Sequence, residues 1–180
     1  MKKLMFAAAI VCVAAFAHAA AVDWSANAVC DPVASEAAGK NKPAVGWLGY
    51  MILEADYATV KADLDAGSTA KLVEKHVGAV KTTDSKGKFA DATPEGSVAA
   101  GSQGFYLVIL NSGDPATATN YVISDKVTET VDASLDTLVS FSSMAAKTNS
   151  SAGWSTVPEP TSALLMVLGL AGLALKRKRA

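Results

Sequence analysis

The chain has 180 residues, 51% hydrophobic and 18% charged, with two cysteines and a formal net charge of −1. Six of its sixteen cations lie in the first three and last five residues, so residues 20–156 carry ten lysines, no arginine and sixteen acids, a net charge near −6. An acidic segment without arginine argues against nucleic-acid recognition, which leans on guanidinium contacts to phosphate and bases, and it is repelled by anionic membranes.

Lys2 and Lys3 precede an apolar run from Leu4 to Phe16, followed by Ala17-His18-Ala19. A positive head, a short apolar core and a small-x-small site make a secretory signal peptide over 1–19. Cleavage is expected around Ala17, Ala19 and Ala20, with Sec-type export machinery and signal peptidase as partners. Cys12 follows Val11 rather than a small residue, against a lipoprotein signal. After processing only Cys30 is left, so no intrachain disulfide can form. Cys30 is then either a buried small apolar residue or an intermolecular link.

The exported part spans about 137 residues, enough for one domain with its own core. Val22–Val29 alternates like a strand around Trp24. Asp31–Lys42, with Pro32 and Gly39, reads as a loop. Ala44–Glu54 is apolar on both alternating faces, with Val45, Trp47 and Met51 on one and Leu48, Tyr50 and Ile52 on the other. That pattern predicts a strand covered on both sides. Asp56 is the expected N-cap of a helix carrying Tyr57, Val60 and Leu64, stopped by Gly67. Ser68 is expected to cap a second helix, with Leu72, Val73, His76, Val77 and Val80 on one face. Thr82–Gly104 reads as loop, with one short strand near Phe89.

Phe105–Leu110 is a buried strand, Asn111–Pro115 a turn, and Tyr121–Ser124 the returning strand of a hairpin. Val127–Val131 and Leu138–Ser142 complete the strands, the latter with Val139 and Phe141 on one face. These patterns predict an α+β fold, an antiparallel sheet or sandwich with one or two packed helices, over 20–146. Residues 147–156 read as a polar linker, in which Trp154 closes the domain or marks a membrane interface.

The tail follows. Val157 and Glu159 precede prolines and are pushed toward extended geometry, and Pro158 and Pro160 fix their own φ and lack an N–H. Val157-Pro158-Glu159-Pro160 is therefore expected to be a stiff, extended, solvent-facing peptide. Ala163–Leu175 carries no charge; its 13 residues make about 20 Å of helix against an apolar bilayer core of about 30 Å. Counting from Thr161, the helix 161–175 spans the membrane if the terminal cations snorkel. Lys176, Arg177, Lys178 and Arg179 form a cytoplasmic basic stop by the positive-inside rule.

Val157-Pro158-Glu159-Pro160, the apolar segment and Lys176-Arg177-Lys178-Arg179 together resemble a PEP-CTERM sorting signal, a tail also catalogued as an ice-binding protein C-terminal domain. That second label is no evidence of ice binding. The resemblance covers the last 24 residues, 157–180, and implies recognition by an exosortase, a membrane-embedded cysteine peptidase that processes the tail near Pro158-Glu159-Pro160. It also implies a bacterium of the Gram-negative type that makes exopolysaccharide. The catalytic residues belong to that partner; here the motif is substrate.

No catalytic motif stands out in the exported part, and no cofactor or metal is expected. His76 is its one histidine and lies on an apolar face. Asp63-x-Asp65-x-Gly67 resembles a calcium loop only faintly, since the third acidic ligand and the distal Glu are missing. Glu54 and Asp56 are close enough in sequence to pair for glycosidic chemistry, but such neighbours are common on solvated turns. Trp24, Trp47 and Trp154 are candidates for stacking on sugar rings, against the commoner role of core residues.

The leading expectation is a non-enzymatic exported protein, anchored transiently in the inner membrane, trimmed by exosortase and delivered to the cell surface or extracellular matrix. The alternatives are a carbohydrate- or exopolysaccharide-binding module, or an uncleaved tail-anchored envelope protein. A hydrolase is disfavoured by the single histidine, the absence of arginine and the lack of a nucleophile motif.

Overall fold

The alternation along Phe105–Leu110 decides the architecture. In the computed structural model this run ends strand β5 (Gly101–Leu110), which pairs antiparallel with β2 (Leu48–Leu53), Tyr50 opposite Val108 and Ile52 opposite Tyr106. Successive strand side chains point to opposite faces. Phe105, Leu107, Ile109 and Met51 accordingly enter one buried cluster, and Val108, Leu110, Tyr50 and Ile52 enter another. Both faces of the central strands are covered, as continuous apolar runs require.

The structure describes residues 19–38, 41–90, 93–144, 148 and 153–158. Ala17, Glu159, Pro160, the expected membrane helix 161–175 and Lys176, Arg177, Lys178 and Arg179 lie outside the described residues. Among the described residues, no helix is long and apolar enough to cross a membrane.

The larger sheet runs β3 (His76–Thr82), β2, β5, β6 (Asn120–Ile123), β9 (Ser155–Thr156), with β7 (Val127–Val131) paired to the first half of β5. The smaller sheet runs β4 (Glu95–Ala99), β1 (Ala19–Ala26), β8 (Thr137–Phe141). Val22 and Trp24 of β1 and Val139 and Phe141 of β8 pack with Phe105, Leu107 and Ile109, which makes the first cluster the filling of a two-sheet sandwich. Helices α2 (Glu54–Asp65) and α3 (Ala70–Lys75) cover the outer face of the larger sheet through Val60, Leu64 and Leu72. The chain is thus mostly β with a few helices. The expected sheet is antiparallel, and one pair departs from that: β1 runs parallel to β8, Trp24 beside Val139.

Several local expectations change. The second helix stops at Lys75, and His76, Val77 and Val80 belong to β3. Gly78 takes φ +70°, which breaks a helix, and the β-branched residues around it pair with β2 instead. Val80 and Val45 are exposed rather than core. Asp56 does not cap α2, whose N-cap is Leu53 without a side-chain bond. Pro32–Ala38, read as loop, forms helix α1, its start closed by Asp31 Oδ1 accepting from Ala34 N–H at 3.0 Å. Glu95–Ala99 and Gly101–Gly104 are strand, whereas Phe89 makes only an isolated bridge with Thr83. Those strands are rich in Gly, Ser and Ala, which carry little periodic signal; sheet neighbours, not propensity, order them.

One buried charge has no sequence signature. Lys81, 5% exposed, lies 2.8 Å from Asp23 Oδ1, donates to the Trp24 carbonyl, and stands 5.0 Å from the Trp24 ring centre. The Lys81 cation is taken into the sandwich only because a carboxylate, a carbonyl and an aromatic face surround it.

Candidate functional site

The last described residues do not leave the globule freely. Ser155 and Thr156 pair antiparallel with Tyr121 and Asn120, so β9 forms the edge of the larger sheet. These residues fall within the stretch expected as linker. Val157 N–H then donates to the Thr119 carbonyl at 2.8 Å. Its side chain is 9% exposed and joins the outer cluster with Leu64, Leu72, Ala118 and Tyr121. A solvent-facing Val157 is therefore corrected: a β-branched apolar residue with a free N–H extends the ladder of an open edge. Pro158 has no N–H to continue it and is exposed.

Gly67 makes room for this arrangement. Its φ is +83°, and its N–H closes the end of α2 on the Leu64 carbonyl at 3.0 Å. A Cβ placed there would lie 2.0 Å from the Pro158 carbonyl oxygen. The glycine read from sequence as a helix stop is also where the tail backbone crosses.

Beside the crossing lies an open groove of about 710 Å³, between the α2–α3 turn at Gly67–Ala70, the 3₁₀ turn Pro115–Thr117 with Ala118 and Thr119, and the tail at Val157 and Pro158. Thr69 Oγ1 donates to the Pro115 carbonyl at 3.2 Å and ties the first two walls together. Among the described residues no titratable side chain lines the groove.

The acids near the groove are engaged. Asp63 Oδ2 accepts from Lys71 N–H at 2.7 Å and from the Ser68 hydroxyl at 3.1 Å, and Ser68 Oγ accepts from Ala70 N–H at 3.2 Å, so the expected cap Ser68 and Asp63 together close the start of α3. Asp65 accepts from Lys61 Nζ at 2.6 Å and from Tyr121 Oη at 2.5 Å. The Lys61 bond, then the Tyr121 bond, hold the Asp65 carboxyl below its ordinary range. Burial, then the bond to Asp65, push the Tyr121 phenol above its own. Tyr121 lies directly opposite Ser155 in the ladder, and the Ser155 side-chain bond opposes part of that rise.

The other candidate residues are scattered. Ala19 pairs with Ala99 and Ala20 with Val98, so the expected cleavage positions Ala19 and Ala20 lie at the very start of β1, and Ala20 is already buried. Trp24 is withdrawn as a sugar-stacking residue: it is fully buried, and its indole N–H donates to the Ala79 carbonyl at 2.8 Å. Trp47 and Trp154, 107 positions apart, are brought together edge to face with ring centres 5.1 Å apart. That places Trp154 on the domain. Glu54 pairs with Lys126 at 2.9 Å and Asp56 lies 3.9 Å from Lys75, each on its own cation rather than on one another. His76 Nδ1 lies 2.8 Å from the Val73 carbonyl and its ring meets Tyr50 edge to face. Cys30 is half-buried, and loss of solvation pushes its thiol up. Among the described residues no group of three or more His, Cys, Asp or Glu is placed to hold a metal ion.

Residues 156–179 match the family model of the PEP-CTERM protein-sorting motif. The match begins inside β9, so a protein-sorting motif starts within the folded sheet. No curated protein and no solved structure matches the chain.

Proposed function

We propose that this is a non-enzymatic exported protein, held transiently in the inner membrane by helix 161–175, processed by an exosortase near Pro158-Glu159-Pro160, and released to the cell surface or extracellular matrix. The match of residues 156–179 to the protein-sorting motif carries this reading. Sec-type machinery and signal peptidase act first, at the other end of the chain.

The docked tail supports the reading in physical terms. An extended chain covers at most about 3.6 Å per residue, so the step from Pro158 to Thr161 spans about 11 Å or less. A membrane helix starting at Thr161 therefore keeps the globule close against the outer face of the bilayer. Pro158, exposed and beyond the ladder, is where a membrane-embedded peptidase meets the chain. Lys176–Arg179 resist being pulled through the apolar layer and hold the substrate in register while it is cut.

The test is the mass of the mature protein in strains with and without the peptidase. Loss of the residues beyond the Pro158-Glu159-Pro160 region only in the peptidase-bearing strain is expected. Identical masses, with Lys176–Arg179 still attached, would mean permanent tail anchoring and defeat the trimming step.

A further inference from the structure

Trp47 and Trp154 stand at an open cleft of about 440 Å³ on the side of the domain, within the range of about 300–1,000 Å³ that small-molecule sites occupy. Asp31, Pro32, Val33, Asn111, Asn120 and Thr156 complete its wall, and Val33, at the start of α1, is 70% exposed. Both tryptophans are half-buried.

The polar groups are of a particular kind. Trp154 Nε1 is buried and has no hydrogen-bond acceptor among the described residues. Shut off from solvent where it stands, it is out of reach of a ligand in the open cleft. Asp31 uses Oδ1 on Ala34 N–H, and no bond engages Oδ2 among the described residues. Asn120 spends a side-chain N–H on Thr119 Oγ1 at 3.2 Å, and its amide oxygen accepts nothing there. Asn111 by contrast is consumed: its oxygen accepts from the backbone N–H of Thr119 and of Asn120, and its amide donates to Thr119 Oγ1. The cleft therefore offers aromatic surface, the Asp31 and Asn120 oxygens as acceptors, and the second Asn120 amide N–H and the Thr156 hydroxyl as donors. Among the described residues no lysine or arginine lines it.

We infer that this cleft binds an uncharged saccharide. The apolar C–H face of a pyranose ring lies on an indole, and its hydroxyls donate to Asp31 and Asn120 and accept from the remaining amide N–H of Asn120. The Asp31 carboxylate, with no cation among the described lining residues, disfavours phosphorylated, sulfated and uronic sugars by charge. Every lining residue precedes Pro158, so trimming of the tail beyond it leaves the cleft covalently whole.

The test uses the full exported protein, held in a detergent without a sugar headgroup. It is titrated with neutral gluco-, manno- and N-acetylglucosamine oligomers of both anomeric linkages, followed by tryptophan fluorescence and calorimetry. A saturable response to at least one oligomer is expected, with a dissociation constant tighter than about 1 mM. Trp47→Ala and Asp31→Asn should each weaken it at least about tenfold, one decade of affinity, while Tyr57→Phe, on the opposite face, leaves it unchanged. Trp47→Phe keeps the packing should the alanine variant fail to fold, and should weaken binding less. No saturable response to any neutral oligomer overturns the inference. So does tighter binding of choline or of a uronate oligomer, or parental affinity in both Trp47 variants.

Discussion

Gly67→Ala tests whether the sorting tail is seated on the globule. Two effects superimpose at this position. A left-handed φ of +83° costs an L-residue about 1–2 kcal/mol. The new methyl would also lie 2.0 Å from the Pro158 carbonyl oxygen, an overlap that only movement of one backbone relieves. Gly46→Ala is the matched control: φ is +74°, and nothing lies within 4 Å of its Cβ. The difference between the two variants isolates the clash. Among the described residues Val157 is the buried side chain beyond β9, and burying a valine contributes about 1.5–3 kcal/mol. Displacing it should open the tail about tenfold to a hundredfold more often. Hydrogen exchange of the Val157 amide, bonded to the Thr119 carbonyl, reads this directly, with Ile109 in β5 as the global reference. Expected is a selective loss of Val157 protection in Gly67→Ala, absent in Gly46→Ala. Equal exchange at Val157 in both variants would refute the seated tail.

Two further outcomes follow from the buried groups. Lys81→Ala strips Asp23 of its buried partner, and breaking such a pair costs about 3–5 kcal/mol, here at the lower end because the Asp23 side chain keeps 18% exposure. Urea unfolding measures it; a change within about 0.5 kcal/mol would show that the pair adds nothing. The phenols of Tyr121 and Tyr50 are raised mainly by burial. A group whose folded pKa is raised stabilises fully below its unfolded value, so stability should fall as pH climbs past about 10. Thermal midpoints between neutral pH and that range check the sign, and Tyr121→Phe should flatten part of the decline.

Much of the fold was legible because its strongest signals are local. Phe105–Leu110 is apolar at every position, and only a strand covered on both faces buries it. Val60 and Leu64, four apart, sit on one side of α2 and are both buried. Val139 and Phe141, two apart, face the core of β8. The stretches that misled are those where local preference is weak or divided. His76–Thr82 could satisfy its apolar residues on a helix, and pairing with β2 decided otherwise. Glu95–Gly104 has almost no apolar period and is ordered by its neighbours β1 and β7. A helix stop at Gly67 was readable; the backbone crossing above it was not, since Pro158 lies 91 positions away.

By itself the chain's order of residues determined where the protein is addressed, because charge, apolar length and proline act through the linear sequence and need no fold to be recognised. Tertiary structure alone decided that Val157 is tucked against the sheet and that Trp47 meets Trp154 beside Asp31 and Asn120. Those relations join residues tens to more than a hundred positions apart, and no local preference encodes a distance of that kind. Only the closing of the sheets brings them within a few ångströms.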